Sequence, residues 1–289
     1  MIDALLPPEM AKRAEEIGAR KATMAPLSLL ALAVLAGAFI ALGGVFATTA
    51  VAGTTGAPWG PVRVLAGVGF SLGLILVLVG GAELFTGNTL IVMAWASGRV
   101  RSAALVENWS IVFVGNFLGA VATALVVYVA GIHRFGGGAW GVAALSTASA
   151  KLDLGFAQAV ALGLLCNALV CLAVWLTFSA RTTADRVLAI VPPISAFVPA
   201  GFEHSIANMY FVPLGLFIAM FDPAFAAGHG VASQAATLTW VGFVTRNLVP
   251  VTIGNILGGS LLVGAVYWFV YLRPGRRATD DAPSPRCRT

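Results

Sequence analysis

The chain has 289 residues, of which 59% are hydrophobic and only 10% carry charge, against roughly 25% charged for an ordinary soluble domain. A soluble core cannot account for that balance. The net charge of +5 follows from where the basic residues sit along the chain, and it requires no nucleic-acid partner.

The first 25 residues mix Asp3, Glu9, Glu15 and Glu16 with Lys12, Arg13, Arg20 and Lys21 and contain no apolar stretch of signal-peptide type, so no cleavable signal is expected. Residues 9–21 read as an interfacial helix within a cytoplasmic segment 1–25, with Glu9/Arg13 and Glu16/Arg20 at i,i+4. Uncharged runs then cover 22–62, 64–82, 84–98, 108–132, 154–180, 187–202, 204–221 and 247–272. About 20 apolar residues cross a bilayer as a helix, so 108–132, 154–180 and 247–272 read as single spans, and 22–62 as a span plus a loop. The other four runs are short and form two pairs, 64–98 and 187–221, interrupted by Glu83 and Glu203. Each pair reads as one broken helix, which gives six crossings in a membrane domain 26–272. The polar tail, 273–289, reads as disordered.

Thirteen of the seventeen basic residues fall in the N-terminal arm, the 99–101 turn, the 181–186 turn and the tail, leaving Arg63, Arg134, Lys151 and Arg246 on the other side. The positive-inside rule therefore places both termini in the cytoplasm of a bacterial-type inner membrane. Cys166 and Cys171 lie within a span and Cys287 in the tail, so neither a disulfide framework nor a metal cluster is expected, and no cofactor. His133 and His229 fall in predicted external loops, where solvated surface positions are expected.

The two interrupted helices overlay at their breaks. Gly81-Ala-Glu83-Leu-Phe-Thr-Gly-Asn88 and Gly201-Phe-Glu203-His-Ser-Ile-Ala-Asn208 share G-x-E-x-x-x-x-N, and the following spans share G-N-x-L-G at Gly115–Gly119 and Gly254–Gly258. Three crossings per half make the halves, 26–132 and 154–272, antiparallel to each other. The predicted fold is thus an all-α polytopic membrane protein of two inverted three-helix repeats with broken second and fifth helices, and substrate is expected near the midplane. Gly80-Gly81 and Gly87 on one side, and Pro192-Pro193, Pro199 and Gly201 on the other, supply local causes for the breaks. Glu83, Glu203, Asn88 and Asn208 are expected to satisfy the backbone groups so freed, with Asn88 and Asn208 also reaching the pore.

Half-helix N-termini favour anions. His204 is the titratable donor at these breaks, with Thr86 as a candidate hydroxyl opposite it. Lys21 and Lys151 hold equivalent places before the first and fourth spans, where each could draw anions into a vestibule or simply snorkel to the interface. An intramembrane hydrolase using Ser205 with His204 is disfavoured, because adjacent helix residues point apart and no G-x-S-x-G is present. A neutral-solute channel of the aquaporin type would share the architecture but lacks an N-P-A pair here.

The stretches AELFTGN (82–88), ASGR (96–99), GNFLGA (115–120), NALVCLAVW (167–175), GFEHSIANM (201–209) and LVPVTIGNILGG (248–259) resemble the formate/nitrite transporter family. The similarity runs from about residue 10 to residue 273. The resemblance implies an aquaporin-like protomer in a homopentamer, one pore per protomer, and small monovalent anions such as formate or nitrite, with protons, as substrates. It implies that His204 is the pore histidine, Thr86 its partner, Lys21 and Lys151 vestibule lysines, and Leu84 and Phe197 apolar constrictions. One departure is visible: after LFT this chain has Gly87-Asn88 where formate-channel members tend to carry Ser-Thr and nitrite-type members tend to carry Gly.

Overall fold

The computed structural model describes residues 4–273, which are entirely helical where they are regular. The expected disordered tail, Cys287 included, lies outside the described residues apart from Arg273.

The chain runs through α1 (Pro7–Ala22), α2 (Pro26–Val51), α3 (Trp59–Gly80), α4 (Phe85–Ala96), α5 (Ser102–Val129), α6 (Ala139–Leu152), α7 (Phe156–Ser179), α8 (Thr183–Phe197), α9 (Ser205–Phe221) and α10 (Trp240–Tyr271). Helices α2, α3, α5, α7 and α10 are each long and apolar enough to cross a membrane by themselves. The sixth crossing is the broken pair α8 and α9, and α4 completes the broken crossing begun by α3. Neither α4 nor α9 could span a bilayer alone. The breaks fall between α3 and α4 and between α8 and α9, giving two inverted three-helix repeats with broken second and fifth helices.

The breaks depend on residues that can leave the right-handed helix. Gly81 takes φ +82° and Gly201 φ +71°, the left-handed region in which glycine carries no Cβ penalty. The expectation that Pro192-Pro193 helps break the fifth helix is corrected, because α8 continues through both prolines to Phe197. Proline removes hydrogen bonds, but its fixed φ near −65° is itself helical; leaving the helix needs the left-handed residue at Gly201.

Close helix crossings position the breaks. A Cβ on Gly119 would collide with the Val34 carbonyl across α2 and α5, and one on Gly258 with the Leu164 carbonyl across α7 and α10. These are the last glycines of the two G-N-x-L-G motifs, and small residues let membrane helices approach this closely. The repeats differ in winding, since α10 is π-helical over Phe243–Leu248 and Gly258–Ala265.

Each repeat also carries a leading helix that hydropathy alone does not separate. α1 buries Met10, Ala11, Ala14, Glu15 and Gly18, so it is packed into the bundle along one face. The i,i+4 pairs expected along it do not form. Glu9 instead accepts from the Leu6 amide at 2.8 Å, and Glu15 pairs with Arg99 at 3.2 Å in the turn after α4. α6 is its counterpart, burying Trp140, Ala144, Leu145, Ala148 and Leu152 and ending on Lys151 as α1 ends near Lys21. The reading of His133 as solvated is also corrected. Its ring is 3% exposed, stacks on Tyr128 with centroids 5.1 Å apart, and lies 3.3 Å from Asp222. His229 is exposed, as expected of an external loop.

Candidate functional site: two helix breaks and the passage between them

An interrupted helix at membrane depth must pair its freed backbone groups within the protein. Asn116 does this at the first break. Its Oδ1 accepts from the Phe85 amide at 2.9 Å, and its Nδ2 donates to the carbonyls of Ala33 at 2.7 Å and Glu83 at 2.9 Å. Asn255 repeats the arrangement at the second break, accepting from Ser205 at 2.9 Å and donating to Gly163 at 2.8 Å and Glu203 at 3.0 Å. These are the asparagines of the two G-N-x-L-G motifs. The first amides of the two half-helices, at Phe85 and Ser205, are therefore already taken.

The glutamates meet side chains rather than freed amides. Lys21 Nζ donates to Glu83 Oε2 at 2.9 Å and to Asn88 Oδ1 at 2.8 Å, while Asn88 Nδ2 donates to the same carboxylate at 2.8 Å. Asn88 Nδ2 also reaches Asn108 Oδ1 at 3.0 Å, and Asn108 Nδ2 returns to the Lys21 carbonyl at 2.9 Å. In the second repeat Lys151 Nζ donates to both oxygens of Glu203, at 2.9 and 3.1 Å. Asn208 Nδ2 donates to Glu203 Oε2 and to Asn247 Oδ1, each at 2.7 Å, and Asn247 Nδ2 returns to the Lys151 carbonyl at 3.0 Å. Lys21 and Lys151 thus stand in ion pairs, and so do not present free charges to a vestibule.

Asn108 and Asn247 were not singled out from the sequence. A signal was available, because each lies eight residues before the asparagine of its G-N-x-L-G motif. Nor was Asn167, whose Nδ2 donates to the carbonyls of Asn255 at 2.7 Å and Thr86 at 3.2 Å. It ties the two repeats together behind the breaks.

His204 caps α9, its Nδ1 accepting from the Ala207 amide at 3.1 Å. That bond leaves no proton on Nδ1, so in the neutral ring Nε2 carries the hydrogen. Nε2 lies 3.0 Å from Thr86 Oγ1, and the ring is the donor in that contact. The two repeats therefore touch through a histidine from one and a threonine from the other, both buried.

Two cavities approach this pair from opposite faces. The cavity on the α1 face, of about 370 Å³, is lined by Leu74, Val77, Leu78, Leu84 and Leu90, with Lys21, Glu83, Asn88 and the arginines Arg13, Arg20 and Arg186. The cavity on the other face, of about 80 Å³, is lined by Phe70, Phe197, His204 and Asn208 with Lys151, Glu203 and Arg63. The two share no lining residue. Phe197 stacks over the His204 ring with centroids 6.2 Å apart, and Leu84 holds the position equivalent to His204, directly after the glutamate of its own break.

The formate/nitrite transporter family profile matches residues 8–269. The chain is 48% identical to formate channel FocA of Escherichia coli K12 over 94% of its own length and 96% of the relative's, and 40% identical to formate channel FocA of Haemophilus influenzae over 90% and 93%. A solved structure described as a pentameric formate channel with formate bound superposes with a TM-score of 0.81 at 44% identity, covering 86% of this chain and 98% of that one. These close relatives are named channels and not enzymes. A break-for-break repeat closed by a histidine and a threonine, matched over nearly the whole chain, makes this protein a member of the formate/nitrite transporter family.

Proposed function

We propose that the chain is a membrane channel for small monovalent anions of weak acids, formate or nitrite foremost, working as a homopentamer with one passage per protomer and linking anion movement to protons through His204. The observation that carries this reading is the 3.0 Å contact of His204 Nε2 with Thr86 Oγ1, set between two cavities that open to opposite faces. Leu84 and Phe197 line those cavities beside it, and a bare carboxylate there faces a Born cost of tens of kcal/mol, less whatever hydration and dipoles return. Neutralising a carboxyl of pKa about 3.9 at pH 7 costs roughly 4 kcal/mol, so crossing as the neutral acid is the cheaper route.

His204 is suited to that exchange in a restricted way. Its Nε2–H can donate to an arriving anion in place of Thr86. The ring can surrender that proton and stay neutral only as Nδ1 gains one, which means letting go of the Ala207 amide. The helix cap of α9 is then the gate on the proton step. Lys21, Lys151, Asn88 and Asn208, with Glu83 and Glu203, hold the breaks in register, while Gly81 and Gly201 permit the turns.

The test is stopped-flow uptake of formate, nitrite, lactate and hydrosulfide by proteoliposomes, with internal pH followed in parallel. Formate or nitrite uptake accompanied by internal acidification is expected. Flux without a pH change would remove the proton linkage, and no anion flux would remove the function. The membrane is taken as the bacterial cytoplasmic one with both termini inside. Reporter fusions at Arg99 and Arg181 should read cytoplasmic and those near Arg134 and Gly228 periplasmic; a periplasmic Arg181 would overturn that orientation.

A further inference from the structure

The two lysines cannot supply the capturing charge on the face opposite α1, because Lys151 is held by both oxygens of Glu203 at 2.9 and 3.1 Å, so the pair sums to about zero. Arg63, on the second turn of α3, is the cation left over there. Among the described residues no carboxylate is paired with it. It lines both the small cavity in front of Phe197 and His204 and the wider cavity outside it, of about 530 Å³. Its Nη2 donates to the Val198 carbonyl at 2.9 Å, while its Nε is buried with no partner. The buried Nε is closed to solvent, so the Nη end of the guanidinium is the part left to meet a ligand.

We propose that Arg63 is the oxyanion-recognising residue of this mouth, offering a guanidinium fork that accepts anions with two adjacent oxygen acceptors, such as a small carboxylate or nitrite. The inference rests on the small-anion reading above. A planar fork gives two parallel charge-assisted hydrogen bonds to such an anion, whereas an ammonium offers a point charge of the same sign. The bond to Val198 fixes the fork: it ties the first repeat to the residue next to Phe197 and holds the guanidinium against the cavity wall.

Arg63→Lys and Arg63→Gln separate the fork from bare charge, since lysine keeps the charge without the fork and glutamine keeps a donor with neither. The measurement is the half-saturating concentration and maximal rate of formate uptake in proteoliposomes, with oligomer size checked by gel filtration. Recognition by the fork predicts that Arg63→Lys behaves like Arg63→Gln, each raising half-saturation by about tenfold, the worth of one charge-assisted bond, with the maximal rate little changed. Wild-type half-saturation in the Arg63→Lys variant would overturn the proposal in favour of charge alone. Loss of maximal rate at unchanged half-saturation, or failure of both variants to assemble, would overturn it in favour of a purely positioning tether. If the wild-type protein itself passed neither formate nor nitrite, the proposed function would fail first, and that outcome is read before any variant is made.

Discussion

The break before α4 and the break before α9 are built from the same parts: a lysine from the leading helix, a glutamate after the left-handed glycine, one asparagine five residues on, and two more from the following span. They diverge at several points, two of which bear on function. Lys21 divides its donors between Glu83 and Asn88, whereas Lys151 gives both to Glu203 and leaves Asn208 Oδ1 buried without a partner. At the position after the glutamate stands Leu84 in one repeat and His204 in the other. The duplicated network holds backbone in place, and the proposed proton chemistry rests on the unduplicated positions.

The largest expected effect tests the duplicated part. Asn116→Ala strips the partners of the Phe85 amide and the Glu83 carbonyl at the first break, and Asn255→Ala those of the Ser205 amide and the Glu203 carbonyl at the other. At about 1–3 kcal/mol per buried group left unpaired, each variant should lose about 2–6 kcal/mol and fail to give a folded oligomer on gel filtration. If one variant assembles normally while the other does not, the two breaks are not structurally equivalent.

A somewhat smaller loss is expected from the lysines. Replacing Lys151 or Lys21 by Met leaves a carboxylate that is 8% or 7% exposed facing only asparagine donors. Breaking a buried pair costs about 3–5 kcal/mol; with part of each lysine in water we expect about 2 kcal/mol, seen as a lower thermal midpoint. Adding Glu203→Gln or Glu83→Gln to the matching lysine variant should recover most of it. Should the single variants be as stable as wild type and fail only at low anion concentration, with the defect vanishing in high salt, the lysines would be vestibule charges after all.

Much of the architecture was legible in the sequence, because hydropathy and the two paired motifs report directly on what a bilayer demands of backbone. The lysine pairing was not. Lys21 and Glu83 are 62 residues apart and Lys151 and Glu203 are 52 apart, so only the folded path of the chain shows that they meet. Asn108 and Asn247 lie in apolar spans where a lone amide gives no periodic signal. The prolines of α8 mislead because a missing N–H does not by itself end a helix, and the left-handed Gly201 supplies the break. His133 misleads because its loop folds back over Tyr128 and Phe225, a tertiary contact that loop position does not encode.

At the unduplicated position the expected change is in flux more than in stability. His204→Asn keeps a polar group of similar hydrogen-bonding ability, placed where Nδ1 caps the Ala207 amide, but cannot titrate. The folded oligomer should persist, and uptake coupled to internal acidification should fall by most of its wild-type value at low pH. Unchanged acid uptake in a folded His204→Asn oligomer would move proton delivery to water and leave the histidine a helix cap.

The smallest effect lies where the repeats differ most in length, in the linkers that follow their broken helices. The first is the tight turn at 97–101, fastened by Arg99 to Glu15 of α1. The second runs from 222 to 239 and is fastened at its start, where Asp222 Oδ2 accepts from Arg134 Nη2 at 2.9 Å and lies 3.3 Å from His133 Nε2. The Arg134 hydrogen bond, helped by His133 and the Phe225 amide, holds the Asp222 carboxyl below the ordinary carboxylate range. A carboxyl whose folded value is depressed binds its proton more readily when unfolded, so its contribution is fully present above the unfolded pKa of about 3.9 and is lost as pH falls through the lower folded value. Wild-type protein should therefore lose thermal midpoint on acidification below about pH 4, and Asp222→Asn should start lower at pH 7 and lose less over the same window. Arg134 is 69% exposed, so screening keeps the difference small and salt should shrink it further. Identical acid slopes for the two proteins would mean that the long linker is held by Phe225 packing alone, and that the two repeats fasten their linkers by different physics.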